Sequence, residues 1–218
     1  MILLRSRALD LSELMDDPEC DPVLLDRTYA HFATLNPLIA RWAHVFRTWI
    51  EPHLPASLLD IGCGGGDVGR YLAGLSAGRL TVTGIDPDPR ATAFARRAGG
   101  IQVLEVHSRE IASASYDFVI SNHVLHHLSA EDAAGLFCDS ERIARRAALH
   151  NDIRRSPLGY AGFSVLGLAF PGSFIRPDGL TSIRRSYTRA ELAGTVPEGW
   201  TVRTVEPFRL LAVWEAPR

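Results

Sequence analysis

Residues 58–72 read LLDIGCGGGDVGRYL: an apolar run, an acid, five glycines within eight positions, then an amphipathic stretch. Strand, backbone-only turn and helix start follow in that order, which is how a parallel α/β sheet presents its first βα turn to a ligand. The glycines fit two patterns. Gly64, Gly66 and Gly69 satisfy the dinucleotide fingerprint G-x-G-x-x-G, whereas Asp60, Gly62, Gly64 and Gly66 satisfy D-x-G-x-G-x-G. In the dinucleotide fold the strand runs directly into the first glycine. Here that glycine is Gly62, and counting from it puts Asp67 where the third glycine belongs. The second pattern needs no sliding. It also accounts for Asp60, an acid that suits a positively charged ligand and disfavours a pyrophosphate.

Working outward, strands and helices alternate. Val68, Leu72 and Leu75 place an apolar stripe on the helix after the turn, which stops at Gly78, and LTVTGID is a second strand ending on Asp86. Asp88 and Pro89 open a helix that Gly99 and Gly100 close. IQVLEV and YDFVIS are the third and fourth strands. Ser129 with Asp132 starts another helix, and AALHND is a fifth strand. WTVRTVEPFRLLAVWEA holds two strand-like runs joined tightly, so they pair antiparallel, because a parallel crossover needs a dozen or more residues. The fold expected is a Rossmann-like, doubly wound α/β domain: a mostly parallel seven-stranded sheet with a C-terminal antiparallel hairpin and an N-terminal helical cap. In that cap Asp21-Pro22 and Asn36-Pro37 each announce a helix. One domain is expected over 1–218, divided into a cap (1–55), a ligand-binding core (56–150), a lid or substrate-shaping insertion (151–190) and a final helix and hairpin (191–218). Thr188 and Glu191 form a capping box that opens the short final helix, and SIRRSY within the insertion reads as a surface run.

The segments LLDIGCGGG, VTGIDPDP and YDFVISNHVLHHL, in this order, resemble the class I methyltransferases that use S-adenosylmethionine (SAM). The diffuse similarity of the flanks is to a small-molecule branch associated with polyketide and quinone-like metabolism. The resemblance implies SAM as cofactor. Gly62, Gly64 and Gly66 would let the backbone approach its methionine part, with Asp60 near the amino end. Asp86 would accept hydrogen bonds from the ribose hydroxyls, with Pro87 beside it. Many members of the family carry an acid near the adenine after the third strand. Here His107 and Ser108 stand there, so adenine recognition falls to backbone groups or to Ser108, and Ser121 at the fourth strand completes the cofactor set.

Methyl transfer needs alignment and, for a hydroxyl acceptor, removal of a proton. SNHVLHHL supplies His123, His126 and His127 at the carboxyl end of the fourth strand, where such sheets bind ligands. If a helix starts near His123, it shares a face with His126, and His127 turns toward the packing behind. Three readings stay open for the cluster: His126 as general base for a phenolic or enolic hydroxyl, the three histidines as metal ligands, or a structural group. The metal reading lacks a carboxylate in the same segment, and no metal is assigned. HNDIRRSP at the next strand end adds Asp152, to orient a histidine or a hydroxyl, and Arg154 and Arg155, to pair with a carboxylate or remain solvated. His126, His123 and Asp152 are therefore the catalytic candidates.

Composition narrows the acceptor. The chain has 218 residues, is 46% hydrophobic and carries a net charge of -2, so it offers no basic footprint for nucleic acid. No apolar run approaches the roughly 20 residues of a membrane span, and three scattered cysteines suggest neither disulfides nor a zinc knuckle, so a cytoplasmic protein is expected. Tyr160, Phe163, Leu166 and Phe170 in the insertion favour a small, partly apolar acceptor, methylated on oxygen. Two rivals remain: a noncatalytic SAM-binding partner and a nicotinamide-dependent oxidoreductase.

Overall fold

A computed structural model describes residues 4–217. Seven strands form one sheet: β1 (Ala56–Ile61), β2 (Leu80–Ile85), β3 (Gln102–Leu104), β4 (Tyr116–Asn122), β5 (Ala144–Ile153), β6 (Thr201–Val205) and β7 (Arg209–Glu215). Their order is β3-β2-β1-β4-β5-β7-β6. β1 to β5 pair in parallel, while β7 runs antiparallel to both β5 and β6. The fold is the Rossmann-like, doubly wound architecture expected, hairpin included. Strand order reverses between β1 and β4, and the crevice beyond their carboxyl ends is where open α/β sheets bind ligands. The glycine turn follows β1 and the histidine segment follows β4, so topology alone sets them side by side.

Period-two alternation sends residues to both faces. Leu58, Phe118, Ile120 and Leu149 pack with Trp42, Phe46 and Leu72 on one side. Leu59, Val119 and Ala148 pack with Phe137 and Trp200 on the other. α3 (Asp67–Leu75) follows β1, α4 (Pro89–Ala98) follows β2 and α5 (Ala130–Ile143) follows β4. Asp88, Ser129 and Thr188 each accept the backbone N–H that a capping residue should, Thr188 at the start of α8 (Arg189–Ala193).

The cap differs from expectation at Asn36-Pro37. α1 (Pro22–Ile39) runs through both residues, and the break falls at Arg41, whose φ of 60° ends the helix before α2 (Trp42–Val45). Asn36 does not cap because its side chain is committed elsewhere, donating from Nδ2 to Asp67 at 2.8 Å. Pro37 sits in the last turn, where its missing N–H removes only one late bond. The insertion is helical: α6 (Pro157–Leu166) and α7 (Ile175–Arg185) pack together across the sheet edge. SIRRSY is not a surface run. Ser182, Ile183, Ser186 and Tyr187 are buried, and Arg185 bonds the backbone carbonyls of Leu11, His126 and His127. Among the described residues no helix is long and apolar enough to cross a membrane.

His150 is fully buried on β5, stacked on Trp200 at 5.2 Å, with Nδ1 against Ser121 Oγ at 2.8 Å. Burial pulls it down to about 3 from the usual 6.5. The unfolded chain therefore binds a proton that the folded chain refuses, and stability present above pH 6.5 is lost as pH falls toward 3. Between pH 7 and 5 this costs about 2 kcal/mol. Urea unfolding at both pH values tests it: in His150→Leu the pH 7 to 5 difference should shrink by about that amount, and an unchanged difference contradicts the assignment.

Candidate active site

The segments after β1, β2, β4 and β5, with α1, α6 and α7, enclose one cavity of about 730 Å³. Asp60, Gly62, Gly64, Asp86 and Pro87 line it, together with Cys63, Gly65 and Asp67, which sequence reading did not single out. Asp60 is 1% exposed, and among the described residues neither carboxylate oxygen has a hydrogen-bond partner. Burial, then the neighbouring Asp67 and Asp86, pushes it well above the ordinary carboxylate range. A buried, unpartnered acid on a cavity wall fits a ligand with a cationic group, and SAM brings an ammonium and a sulfonium. Asp86 accepts from Gly64 N–H at 2.9 Å through Oδ2 and from Asp88 N–H at 2.9 Å through Oδ1, tying the ends of β1 and β2 together.

Gly62 and Gly64 have positive φ, and a Cβ on Gly62 would come within 2.7 Å of Val124. Gly66 and Gly69 instead serve packing: a Cβ on either would press on Ile101 within 3.1 Å, and neither lines the cavity. Two of the three glycines of the dinucleotide fingerprint are thus accounted for by the fit of α3 on the sheet. Gly66 is also the residue before α3, with φ 75°. With Gly66, which the resemblance places against the methionine part of SAM, three cofactor assignments are corrected. Ser108 does not reach the cavity, because its hydroxyl donates to Asp139 at 2.7 Å. Ser121 is 1% exposed and turns to His150 on the far face.

The histidines lie differently from the helical expectation. His123 has φ 62° and no helix begins there; residues Leu125–His127 form a single 3-10 turn. The His123 ring accepts at Nε2 from Arg209 Nη1 at 2.5 Å, and burial, then Arg209, holds it well below its usual range. Arg209 is itself held by Asn151 Oδ1 and Asn122 Oδ1 at 2.9 and 3.0 Å. His126 is brought together with Asp152: Nδ1 lies 2.7 Å from Oδ1, and the backbone N–H donates to Oδ2 at 2.9 Å. Its Nε2 lies 3.2 Å from Glu13 Oε1. Burial works to lower His126, but Asp152 and Glu13 outweigh it and push the ring up to about 9. With a carboxylate on each nitrogen the ring has no free lone pair, so it cannot act alone as a base. His127 does not turn to the packing behind. It lines the cavity, with Nδ1 3.2 Å from Asp16 and Nε2 3.7 Å from Glu13.

The remaining walls are largely apolar: Phe32, Leu35 and Ile39 from α1, Phe163 and Leu166 from α6, Ile175 and Ile183 from α7, and Phe208. Tyr160 and Phe170 do not line the cavity; Phe170 packs on the edge of His31. The two arginines after Asp152 pair elsewhere, Arg154 with Glu206 and Arg155 with Glu191.

Sequence reading missed Glu13 and Arg209. Glu13 stands 113 residues before its partner His126, a separation no local pattern reveals. Arg209 carried a readable signal, a charge heading an apolar strand that a central position would bury.

Comparison with known proteins bears on this geometry. Residues 59–149 match the family model "Methyltransferase domain". A curated ribosomal protein L11 methyltransferase from Thiobacillus denitrificans is 33% identical over 87 residues, which covers 38% of this chain and 29% of that protein. A SAM-dependent methyltransferase from Aquifex aeolicus superposes with a TM-score of 0.62 at 14% identity, covering 90% of this chain and 99% of the other. The plantazolicin methyltransferase BpumL, solved with S-adenosylhomocysteine (SAH), gives 0.69 at 12% identity over 94% and 93%. An O-methyltransferase family protein from Burkholderia thailandensis gives 0.64 at 15% identity over 88% and 59%. Residues 59–149 thus match a methyltransferase domain, and the described chain shares the Rossmann-like fold of those solved methyltransferases.

Proposed function

We propose that the chain transfers the methyl group of SAM to an oxygen of a small, largely apolar acceptor, such as a phenol or an enol. One observation carries this reading: a single cavity runs from the orphaned Asp60 and the glycine turn to an aromatic and aliphatic wall, with the His126 cluster beside it. When bound, SAM supplies a methyl group on a cationic sulfonium. Asp60 receives its ammonium, Gly62 and Gly64 admit its methionine part, and Asp86 accepts from the ribose hydroxyls. Phe32, Phe163 and Phe208 hold the acceptor and exclude water, and such alignment contributes several kcal/mol to the rate. The acceptor's hydroxyl faces Glu13 and Asp16, and a carboxylate oxygen of this corner takes its proton. His126, fixed by Asp152, positions Glu13.

The test is label transfer from methyl-labelled SAM to a panel of phenols and quinols. Labelled ether products are expected, and His126→Gln should lower turnover by about 10²-fold or more with little change in SAH affinity. SAH binding without transfer to any member of the panel would contradict the acceptor class and favour a noncatalytic SAM-binding partner.

A further inference from the structure

We infer that Glu13, His126 and His127 form a binding site for one divalent transition-metal ion of the zinc class. One ligand atom from each lies within 4.8 Å of the others. His126 Nε2 lies 3.2 Å from Glu13 Oε1, and His127 Nε2 lies 3.7 Å from Glu13 Oε2. Each separation is within about 0.4 Å of the edge of about 3.3 Å that bonds of about 2.0–2.1 Å make in a tetrahedron, and a carboxylate turn of that size brings one oxygen to both nitrogens.

The orientation of the rings is the stronger argument. Each imidazole turns Nε2 toward the same carboxylate and Nδ1 toward a different one: His126 to Asp152 at 2.7 Å and His127 to Asp16 at 3.2 Å. A carboxylate on Nδ1 holds one proton there, so an ion that displaces the proton between Nε2 and Glu13 takes the Nε2 lone pair, giving the outer-shell arrangement that metal-ligating histidines almost always have. Both rings have it, and both turn Nε2 to the Glu13 carboxylate, each toward a different oxygen.

The donors are held in place from outside. Ser182 Oγ donates to Glu13 Oε1 at 2.6 Å, and Asp178 accepts from the N–H groups of Leu14 and Met15 at 2.8 and 3.0 Å. Arg185 fixes the backbone carbonyls of His126 and His127, both at 3.2 Å. Two imidazoles and one carboxylate suit zinc, iron or cobalt in the divalent state better than magnesium or calcium, which prefer all-oxygen sets. Three protein ligands leave a coordination position open, and all three residues line the cavity. An acceptor oxygen placed there would be polarised, a role that rests on the function proposed above; the site itself stands on the geometry.

The purified chain, stripped with EDTA and dialysed, should take up one equivalent of Co²⁺ with the intense visible d–d absorption of a four- or five-coordinate ion, and Zn²⁺ should displace it. His127→Ala and Glu13→Gln should each weaken binding by more than the roughly 10- to 100-fold expected of the outer-shell change Asp16→Asn. His107→Ala, at an exposed histidine, should leave it unchanged. A Co²⁺ spectrum identical to that in buffer, or equal affinity in His127→Ala, would overturn the site and leave a proton-bridged cluster. SAH titration of the same samples separates the two readings: SAH bound without Co²⁺ uptake overturns the metal site alone, and Co²⁺ uptake without SAH binding supports it while contradicting the methyltransferase reading.

Discussion

Asp86→Ala should lose SAH affinity by roughly 150-fold to 10⁴-fold, because the proposed ribose contact would lose two charge-assisted hydrogen bonds of about 1.5–3 kcal/mol each. The carboxylate has further work: its two oxygens accept from Gly64 and Asp88, so the alanine variant also loosens the glycine turn that lines the cavity. Asp86→Asn distinguishes the contributions. It keeps one oxygen for the turn and loses the charge, so its affinity should fall between wild type and alanine. Calorimetric titration with SAH measures both, and an alanine variant binding as tightly as wild type would remove Asp86 from the ribose.

Asp152→Ala should be the most damaging change to stability. Asp152 is buried against His126, which holds its carboxyl far below the ordinary range although burial works the other way. Its removal leaves Nδ1–H of the charged ring, the His126 backbone N–H at 2.9 Å and the Ile153 N–H at 2.6 Å without their acceptor. Breaking a buried pair by deleting one partner costs about 3–5 kcal/mol. For a chain of this size that is a fall in Tm of about 6–20 °C. Scanning calorimetry measures it, and a fall of under about 2 °C would mean that the pair contributes almost nothing.

What the residues revealed in advance, and what they hid, follows from the range of the interactions. The turn LLDIGCGGG was legible because a strand end, positive-φ glycines and a helix start are fixed by neighbours. So were the caps at Asp88, Ser129 and Thr188, each a bond within three residues. The terminal hairpin followed from the short link between its strands. Asn36 misled because a distant partner, Asp67, outcompeted its local capping role. Ser108 and Ser121 misled for the same reason, each satisfied by a residue about thirty positions away. The histidines were legible as a cluster after β4, but their states were not. Those depend on Glu13, Asp152 and Arg209, which only the folded chain brings to one corner.

The most direct test of the central claim is calorimetric titration of the wild-type chain with SAH, with NADH as the competing ligand. The account predicts stoichiometric binding of SAH and none of NADH, because Asp60 and the turn at Gly62 and Gly64 face the cavity while Gly66 and Gly69 are spent on packing. Binding of NADH without SAH would make Gly64, Gly66 and Gly69 the working fingerprint and contradict the account at its base.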